Sequence, residues 1–382
     1  MKNDLDKLQL NLEYGQIIKF NNKYNILNPT DENFKKYGSR IKDSEIALPI
    51  FLLKFHGIEI KTSENFLKFK LKKNPKKIQS FFTKRQNIKR FINLDTPQNL
   101  DANEKKLINI FKKLNILPFP ILLKDSKKKN DSKVSFNINE ISKSLNISKV
   151  VFRNSTSLPL KNNHDVKILL FDDTVLKSTH YALVFNENSR SKKTNVRIHS
   201  SCLTGDLMGS QRCDCGYQLN TAIDYMNNNS GKGIIVYLNQ EGRGLGIHNK
   251  IISYNIQETG WDTYAADNIL GFSGDERDYK SAIKILKYLK VNNINLITNN
   301  PEKISSLNKN GIKVSQVIKI KPGINKFNKE YMKTKKNIGK HLQNAKATIG
   351  QYPENLDHLG LGKALAQQMR YTPFILHMLP ND

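Results

Sequence analysis

The chain has 382 residues and three cysteines, and all three fall within SCLTGDLMGSQRCDCG, Ser201 to Gly216. They are Cys202, Cys213 and Cys215, spaced C-x10-C-x-C. A fold that uses this pattern must bring a strand end at Cys202 back against a tight turn at Cys213–Gly216. On that turn the alternating geometry can point two sulfurs to one side, with Asp214 between them. Thiolates are good zinc ligands, and three protein ligands leave a fourth position for water, as in catalytic rather than structural zinc. Water held there becomes acidic enough to supply hydroxide near neutral pH. The competing reading is three buried, inert cysteines, because free cysteine packs as a small hydrophobe. His199 could close a four-ligand structural site, but three residues before Cys202 on a strand it points to the opposite face. An odd cysteine count without distant partners argues against a disulfide framework.

No apolar run approaches the roughly 18 residues of a membrane span. The segment IALPIFLLKF, Ile46 to Phe55, carries a lysine and reads as a buried element. The first residues, MKNDLDKLQLNLEYG, contain early acids and no clean apolar stretch, so no signal peptide is expected. These features together predict a soluble cytoplasmic protein. The formal net charge of +28 suggests a polyanionic partner. The Lys, Asn and Ile crowding of an AT-rich genome accounts for the same excess. It is densest from Lys61 to Arg90, where eleven Lys and Arg residues meet one acid, Glu64.

The predicted architecture is α/β. Residues 1–123 mix short apolar runs with basic helical stretches and form a smaller α+β domain, expected to be non-catalytic. Within it, residues 102–117 place apolar side chains at 107, 108, 110, 111, 114 and 116, close to a helical stripe. Residues 124–149 form a basic linker, opening with KDSKKKNDSK. Residues 150–342 alternate strand runs (VKILLFDD, HYALVFNE, TNVRIHSS, GKGIIVYLNQ, INLITNNP) with helix candidates, which argues for an α/β domain. Residues 343–382 are a tail without a functional reading.

Several polar turns accompany the cysteines. QEGRGLG, Gln240 to Gly246, follows a strand, where α/β sheets bind ligands. It lacks the spacing of a Walker loop. TNNPEK, Thr298 to Lys303, is a second strand-to-helix turn with a cation. GDERD, Gly274 to Asp278, gathers acids around Arg277, and ordinary helix capping by Asp275 is its simpler reading.

RIHSSCLTGD, GSQRCDCGYQL, QEGRGLG, NKIISY, GFSGDERD and ITNNPEK occur in this order at close spacing. The set resembles GTP cyclohydrolase II, the zinc enzyme at the entry to riboflavin synthesis. The resemblance spans about residues 150 to 342 and ends in YMKTKKNIGKHL, similar to the family's Y-x-x-T-K and G-H-L close. It implies that residues 150–342 form the catalytic domain, built on a mixed sheet. It also implies zinc on Cys202, Cys213 and Cys215, water attack at guanine C8, loss of the ring carbon as formate, and departure of pyrophosphate. Tyr254 matches the tyrosine of the ring-opening half. Arg277 matches the residue proposed to act at the α-phosphate, and Asp275 its proposed proton acceptor. A guanidinium stays protonated, so charge stabilisation is the physical alternative for Arg277. GTP contacts are implied for Arg197, Ile198, His199, Ser200 and Ser201, for Gln218, for Glu241, Gly242 and Arg243, and for Thr263, Thr298 and Lys303. Arg243 and Lys303 can meet phosphates, and Glu241 can accept from the guanine N1–H and amino group. Magnesium is expected on the triphosphate and a homodimer as the assembly.

The chain departs from the family pattern at Ser201, where Glu is usual, at Asn239, where Arg is common, and at His248, where an aliphatic residue is usual. Bifunctional relatives carry a dihydroxybutanone-phosphate synthase domain at the N-terminus, with an acidic metal-binding cluster. Here only Asp31 and Glu32 follow the first strand-like run, so a degenerate domain without synthase activity is expected. Two other readings stay open. One is a paralogue acting on another nucleotide or base ring, for example in pyrimidine catabolism. The other is a zinc-stabilised nucleic-acid-binding protein.

Overall fold

The computed structural model describes residues 2–42, 44–73, 78, 81, 85–124, 135–189, 193–337 and 348–349. Most of the run 124–133, parts of the basic stretch 61–90 and nearly all of the 343–382 tail therefore lie outside the described residues. The chain forms two compact units that interleave along the sequence. The first holds residues 1–151, 173–178 and 240–278, the second 152–172, 179–239 and 279–382. No helix among the described residues is long and apolar enough to cross a membrane.

The first unit is built on seven short strands: β1 (Ile18–Phe20), β2 (Tyr24–Leu27), β3 (Glu45–Pro49), β4 (Phe66–Lys70), β5 (Gln98–Asn99), β6 (Ile121–Leu123) and β7 (Ser135–Phe136). Their order is β5-β4-β3-β6-β2-β1-β7. The pairing is antiparallel except between β1 and β7, so the sheet is mixed. The helix predicted from residue 102 runs over Ala102–Lys113. Asp101 starts it with a capping box: its carboxylate accepts from the Asn103 and Glu104 amides, and Glu104 accepts from the Asp101 amide. It stops where Asn115 turns left-handed, at φ 57°. Leu107, Ile108, Ile110 and Phe111 are buried on its inner face.

The core of this unit draws on two distant stretches of chain. Leu48, Leu52, Phe69 and Phe119 pack in one cluster with Leu245, Ile252, Ile256, Ile269, Leu270 and Phe272. Burying each such side chain contributes about 1.5–3 kcal/mol. The segment 240–278 therefore folds on apolar surface supplied by residues near the N-terminus. Gly271, at φ 80°, marks the close approach: a Cβ there would lie 2.8 Å from Phe66 and from Pro118.

The second unit carries eight strands: β8 (Val150–Ser157), β9 (Val166–Asp173), β10 (Ser178–Phe185), β11 (Thr194–Ser200), β12 (Gly233–Leu238), β13 (Asn293–Ile297), β14 (Lys313–Ile320) and β15 (Thr348–Ile349). Their order is β15-β14-β13-β11-β12-β10-β9-β8. Strands β11 to β15 pair parallel, and β12 pairs antiparallel with β10. The fold is thus α/β with two mixed sheets. Alternation along TNVRIHS would place Arg197 and His199 in water on a half-exposed strand. Instead β11 is central and buried along nearly its whole length. Strands of a parallel sheet are covered on both faces. Arg197 and His199 must then find partners inside the protein.

In the first unit, the His56 ring is fixed between two backbone groups. The Gln86 amide donates to Nδ1 at 3.2 Å, and Nε2 lies 3.0 Å from the Phe81 carbonyl. A ring that accepts at Nδ1 and donates from Nε2 is neutral. Burial, the dominant cause, pushes its pKa down from 6.5 to about 4, against the opposing hydrogen bond to Phe81. The unfolded chain binds a proton at this ring that the fold resists. Stability from this site is complete above about pH 6.5 and is lost as pH falls toward 4. Denaturation titrations are expected to show that decline. His56→Ala should flatten it and lower stability at neutral pH by roughly 1–2 kcal/mol through the lost hydrogen bonds.

Candidate metal centre and nucleotide site

The three cysteine sulfurs converge in the second unit, all within 4.8 Å of one another. Cys202 follows the C-terminal end of β11, and its sulfur lies 3.6 Å from that of Cys213. Two thiolates bound tetrahedrally to one zinc at 2.3 Å stand roughly 3.8 Å apart, so the donor set fits the ion. Two glycines permit the convergence. A Cβ on Gly205 would lie 3.0 Å from the Cys213 sulfur and 3.1 Å from the Cys202 sulfur. A Cβ on Gly216 would lie 2.3 Å from the Gly205 carbonyl oxygen. Cys215 opens the helix Cys215–Asn227, whose N-terminal dipole favours a thiolate. The crowding itself opposes ionisation. Hydrogen bonding with Cys202 and burial push the Cys213 thiol up to about 12, and hydrogen bonding with Cys202 and Cys213 pushes Cys215 well up. A divalent cation resolves that conflict.

Two buried polar networks hold this centre. In the first, Asp206 accepts from the Cys202 amide at 3.0 Å and from the Tyr237 hydroxyl at 2.9 Å. The same carboxylate lies 3.1 Å from His199 Nε2, and the imidazole stacks on Tyr237. His199 thus faces Asp206, while the metal-capable group is the three cysteines. In the second, Asp214, between two of the ligands, receives Lys335 Nζ at 2.9 Å and the Gln218 amide. Gln218 Oε1 accepts from Arg197 at 2.7 Å, and Arg197 also donates to the Ile297 carbonyl at 3.2 Å. Burial would raise the Asp214 carboxyl, but the charge and hydrogen bond of Lys335 hold it below the usual carboxylate range. Lys303 is buried, donating to the Ile198 carbonyl at 2.7 Å with Tyr279 beneath its ammonium. Thr298 is buried too, its hydroxyl accepting from the Asn300 amide. Ser200 ends β11, and the Ser201 amide donates to the Leu238 carbonyl.

The remaining candidates lie in the first unit. Gly242 and Arg243 both adopt left-handed backbone, at φ 60° and 58°. A Cβ on Gly242 would lie 2.9 Å from the Lys250 side chain. Glu241 pairs with Lys250 at 2.8 Å, and the Lys250 ammonium lies over the Tyr254 ring. Arg243 pairs with Asp267 at 2.8 Å and stacks on Tyr264. Burial raises the Asp267 carboxyl to about 6, opposed by Arg243. Arg277 grips Asp275 with two guanidinium nitrogens. Burial opposes the Asp275 charge, but Arg277 more than offsets it and holds the carboxyl below the usual range. The Glu276 amide donates to the Arg243 carbonyl, joining the EGRG and DERD turns. Thr263 opens the helix Thr263–Ile269 behind the Asp262 cap. Asp31, also in this unit, accepts from the Ile78 amide, and Glu32 lies in the first turn of the helix Asp31–Lys36.

Sequence reasoning missed Asp206, Lys250, Asp267 and Lys335. Only Asp206 carried a signal, the C-x3-D register after Cys202 that places it one turn on.

A three-thiol group able to hold a metal, at the C-terminal end of a central parallel strand and beside buried Arg and Lys, fits an α/β metalloenzyme class. The family model for GTP cyclohydrolase II matches residues 152–319. The GTP cyclohydrolase-2 of Aliivibrio salmonicida is 41% identical over 197 residues, 51% of this chain and 98% of that protein. That of Vibrio vulnificus is 43% identical over 182 residues, 47% of this chain and 91% of that protein. The riboflavin biosynthesis protein RibBA of Endomicrobium trichonymphae is 42% identical over 178 residues, 47% of this chain and 44% of that protein. A solved two-domain 3,4-dihydroxy-2-butanone 4-phosphate synthase from A. baumannii aligns over 83% of this chain and 99% of that one, at 11% identity and a TM-score of 0.26, which establishes no shared fold. The chain belongs to the GTP cyclohydrolase II family.

Asp206→Ala removes the acceptor of the Cys202 amide and the Tyr237 hydroxyl. Each orphaned buried group costs about 1–3 kcal/mol. Chelator competition is expected to show weaker zinc retention, and thermal denaturation a lower midpoint. Gly205→Ala should reduce zinc content by pressing on two ligand sulfurs while leaving all three thiols in place.

Proposed function

We propose that this protein is a GTP cyclohydrolase II. It hydrolyses the imidazole ring of GTP, releases formate and pyrophosphate, and yields 2,5-diamino-6-hydroxy-4-(5-phosphoribosylamino)pyrimidine, the first step of riboflavin biosynthesis. The observation that carries this is the convergence of Cys202, Cys213 and Cys215 at zinc-ligand separation in a chain of this family. Bound there, zinc supplies Lewis-acid polarisation and acidified water at neutral pH. Magnesium accompanies the triphosphate.

The chain's own residues divide the remaining work. Glu241 accepts from the guanine N1–H and amino group, which selects guanine over adenine. Arg197, Ile198, His199, Ser200, Ser201, Gln218, Gly242, Arg243, Thr263, Thr298 and Lys303 take the family's substrate-binding positions. Tyr254 takes the tyrosine's part in ring opening. Arg277 stabilises charge at the α-phosphate. Its bidentate pair with Asp275 favours that role over a nucleophilic one, because the pair keeps the guanidinium protonated. A carboxylate held below its usual range is a weak proton acceptor, so Asp275 acts chiefly by orienting Arg277. The N-terminal region is a degenerate synthase-like domain without its own activity, and the protein works as a cytoplasmic homodimer.

Product analysis tests this reading. Protein with GTP, zinc and magnesium is expected to release formate and pyrophosphate. Cys213→Ser should abolish formate release, and Tyr254→Phe should slow it by about 100-fold or more. GTP that survives intact beside stoichiometric zinc would overturn the assignment and point to another nucleotide ring. Nucleic-acid affinity that collapses with salt would favour the binding-protein reading.

A further inference from the structure

We infer that the N-terminal residues of the first unit serve the reaction by fixing the DERD turn, and that Lys112 is a positioning residue for Arg277. The inference rests on the proposed role of Arg277. The helix Ala102–Lys113 ends in two lysines, and both point at this turn. Lys112 Nζ lies 3.2 Å from Glu276 Oε1, and Lys113 Nζ lies 3.5 Å from Asp278 Oδ2. Glu276 and Asp278 are the two residues that flank Arg277. The Lys112 ammonium also sits over the Phe66 ring, 5.8 Å from its centre.

Glu276 is the centre of the arrangement. Its carboxylate accepts from the Ser273 amide at 2.7 Å as well as from Lys112, and its own amide donates to the Arg243 carbonyl at 3.0 Å. A Cβ on Gly244 would lie 2.9 Å from the Glu276 backbone, so only glycine allows this approach. The residue just past the helix completes the attachment. The buried Asn249 side chain donates to the Asn115 carbonyl at 2.8 Å, and Gly246 lies against the Asn115 side chain. One helix end therefore holds both the EGRG turn and the DERD turn.

The reason lies in competing ion pairs. Three acids, Asp275, Glu276 and Asp278, stand within two residues of Arg277. A guanidinium pairs readily with any of them. Lys112 and Lys113 occupy Glu276 and Asp278, which leaves Asp275 as the bidentate partner of Arg277. The Lys112–Glu276 pair is mostly buried, with 16% and 20% side-chain exposure, so losing Lys112 lowers stability as well as disturbing the geometry of the turn. The two effects are separated by measuring rate and Tm together. A small displacement of a group that meets the transition state lowers the rate about 10- to 100-fold.

The test uses full-length, zinc-loaded protein. Lys112→Ala is expected to lower kcat for pyrophosphate release about 10- to 100-fold at a temperature where the variant is still fully folded, with zinc content unchanged and only a modest fall in Tm. Lys112→Arg should retain most of the rate. Lys112→Glu combined with Glu276→Lys should recover activity relative to either single variant. An unchanged rate in Lys112→Ala, a loss that merely tracks Tm, or a paired exchange without recovery would overturn the inference. If the wild type leaves GTP intact, the proposed function fails on its own. The crystal structure of Lys112→Ala then decides the positioning claim: Arg277 moving from Asp275 to Glu276 supports it, and an unmoved pair overturns it.

Discussion

The structure depends on three thiols packed closer together than three thiolates tolerate. Their sulfurs fall within 4.8 Å because Gly205 and Gly216 let two backbone segments meet. In that crowd, hydrogen bonding between sulfurs and burial hold Cys213 and Cys215 in the neutral form. A cation reverses the balance, since thiolate negative charge then has a partner at bonding distance. The centre is preformed as a donor set and incomplete as an electrostatic one. That combination suits an ion that is held tightly while keeping one position open for water.

Everything around the centre follows from burying charged side chains beside it. Strand β11 is covered on both faces, so Arg197 and His199 cannot reach water and must pair internally. Asp206 serves His199, Tyr237 and the Cys202 amide together. Asp214 links Lys335 to Gln218 and through it to Arg197. Buried polar groups of this kind rigidify a site when every member is satisfied and are costly when one is removed. The cysteine turn is consequently tied to the β11 strand and to the helix Lys329–Asn337 by hydrogen bonds and an ion pair.

The first unit applies the same logic to the EGRG and DERD turns. Left-handed backbone at Gly242 and Arg243 needs external support, since a non-glycine residue is strained there. Asp267 and Tyr264 hold the Arg243 guanidinium, Lys250 holds Glu241, and the end of the helix Ala102–Lys113 holds Glu276. Apolar side chains from before residue 123 and after residue 245 share one core. The N-terminal region thereby supports the turns that carry Arg243 and Arg277.

The sequence by itself determined the three-cysteine cluster, the α/β class and the order of the polar turns. Those features are local: the C-x10-C-x-C spacing, apolar runs closed by glycine or proline, and the apolar stripe of residues 102–117. The spacing alone left inert packed cysteines as a competing reading, and the convergence of the three sulfurs within 4.8 Å favours a metal. Tertiary structure alone decided which chain segments share a unit and which charges pair. Lys335 meets Asp214 across 121 residues, and Lys112 meets Glu276 across 164. No periodicity spans such separations, and a lysine reads alike in sequence whether it is solvated or paired. In a chain with net charge +28, most lysines carry no sign of their task. The few that meet a buried carboxylate are selected by packing, because only the folded core removes the water that would otherwise satisfy both charges.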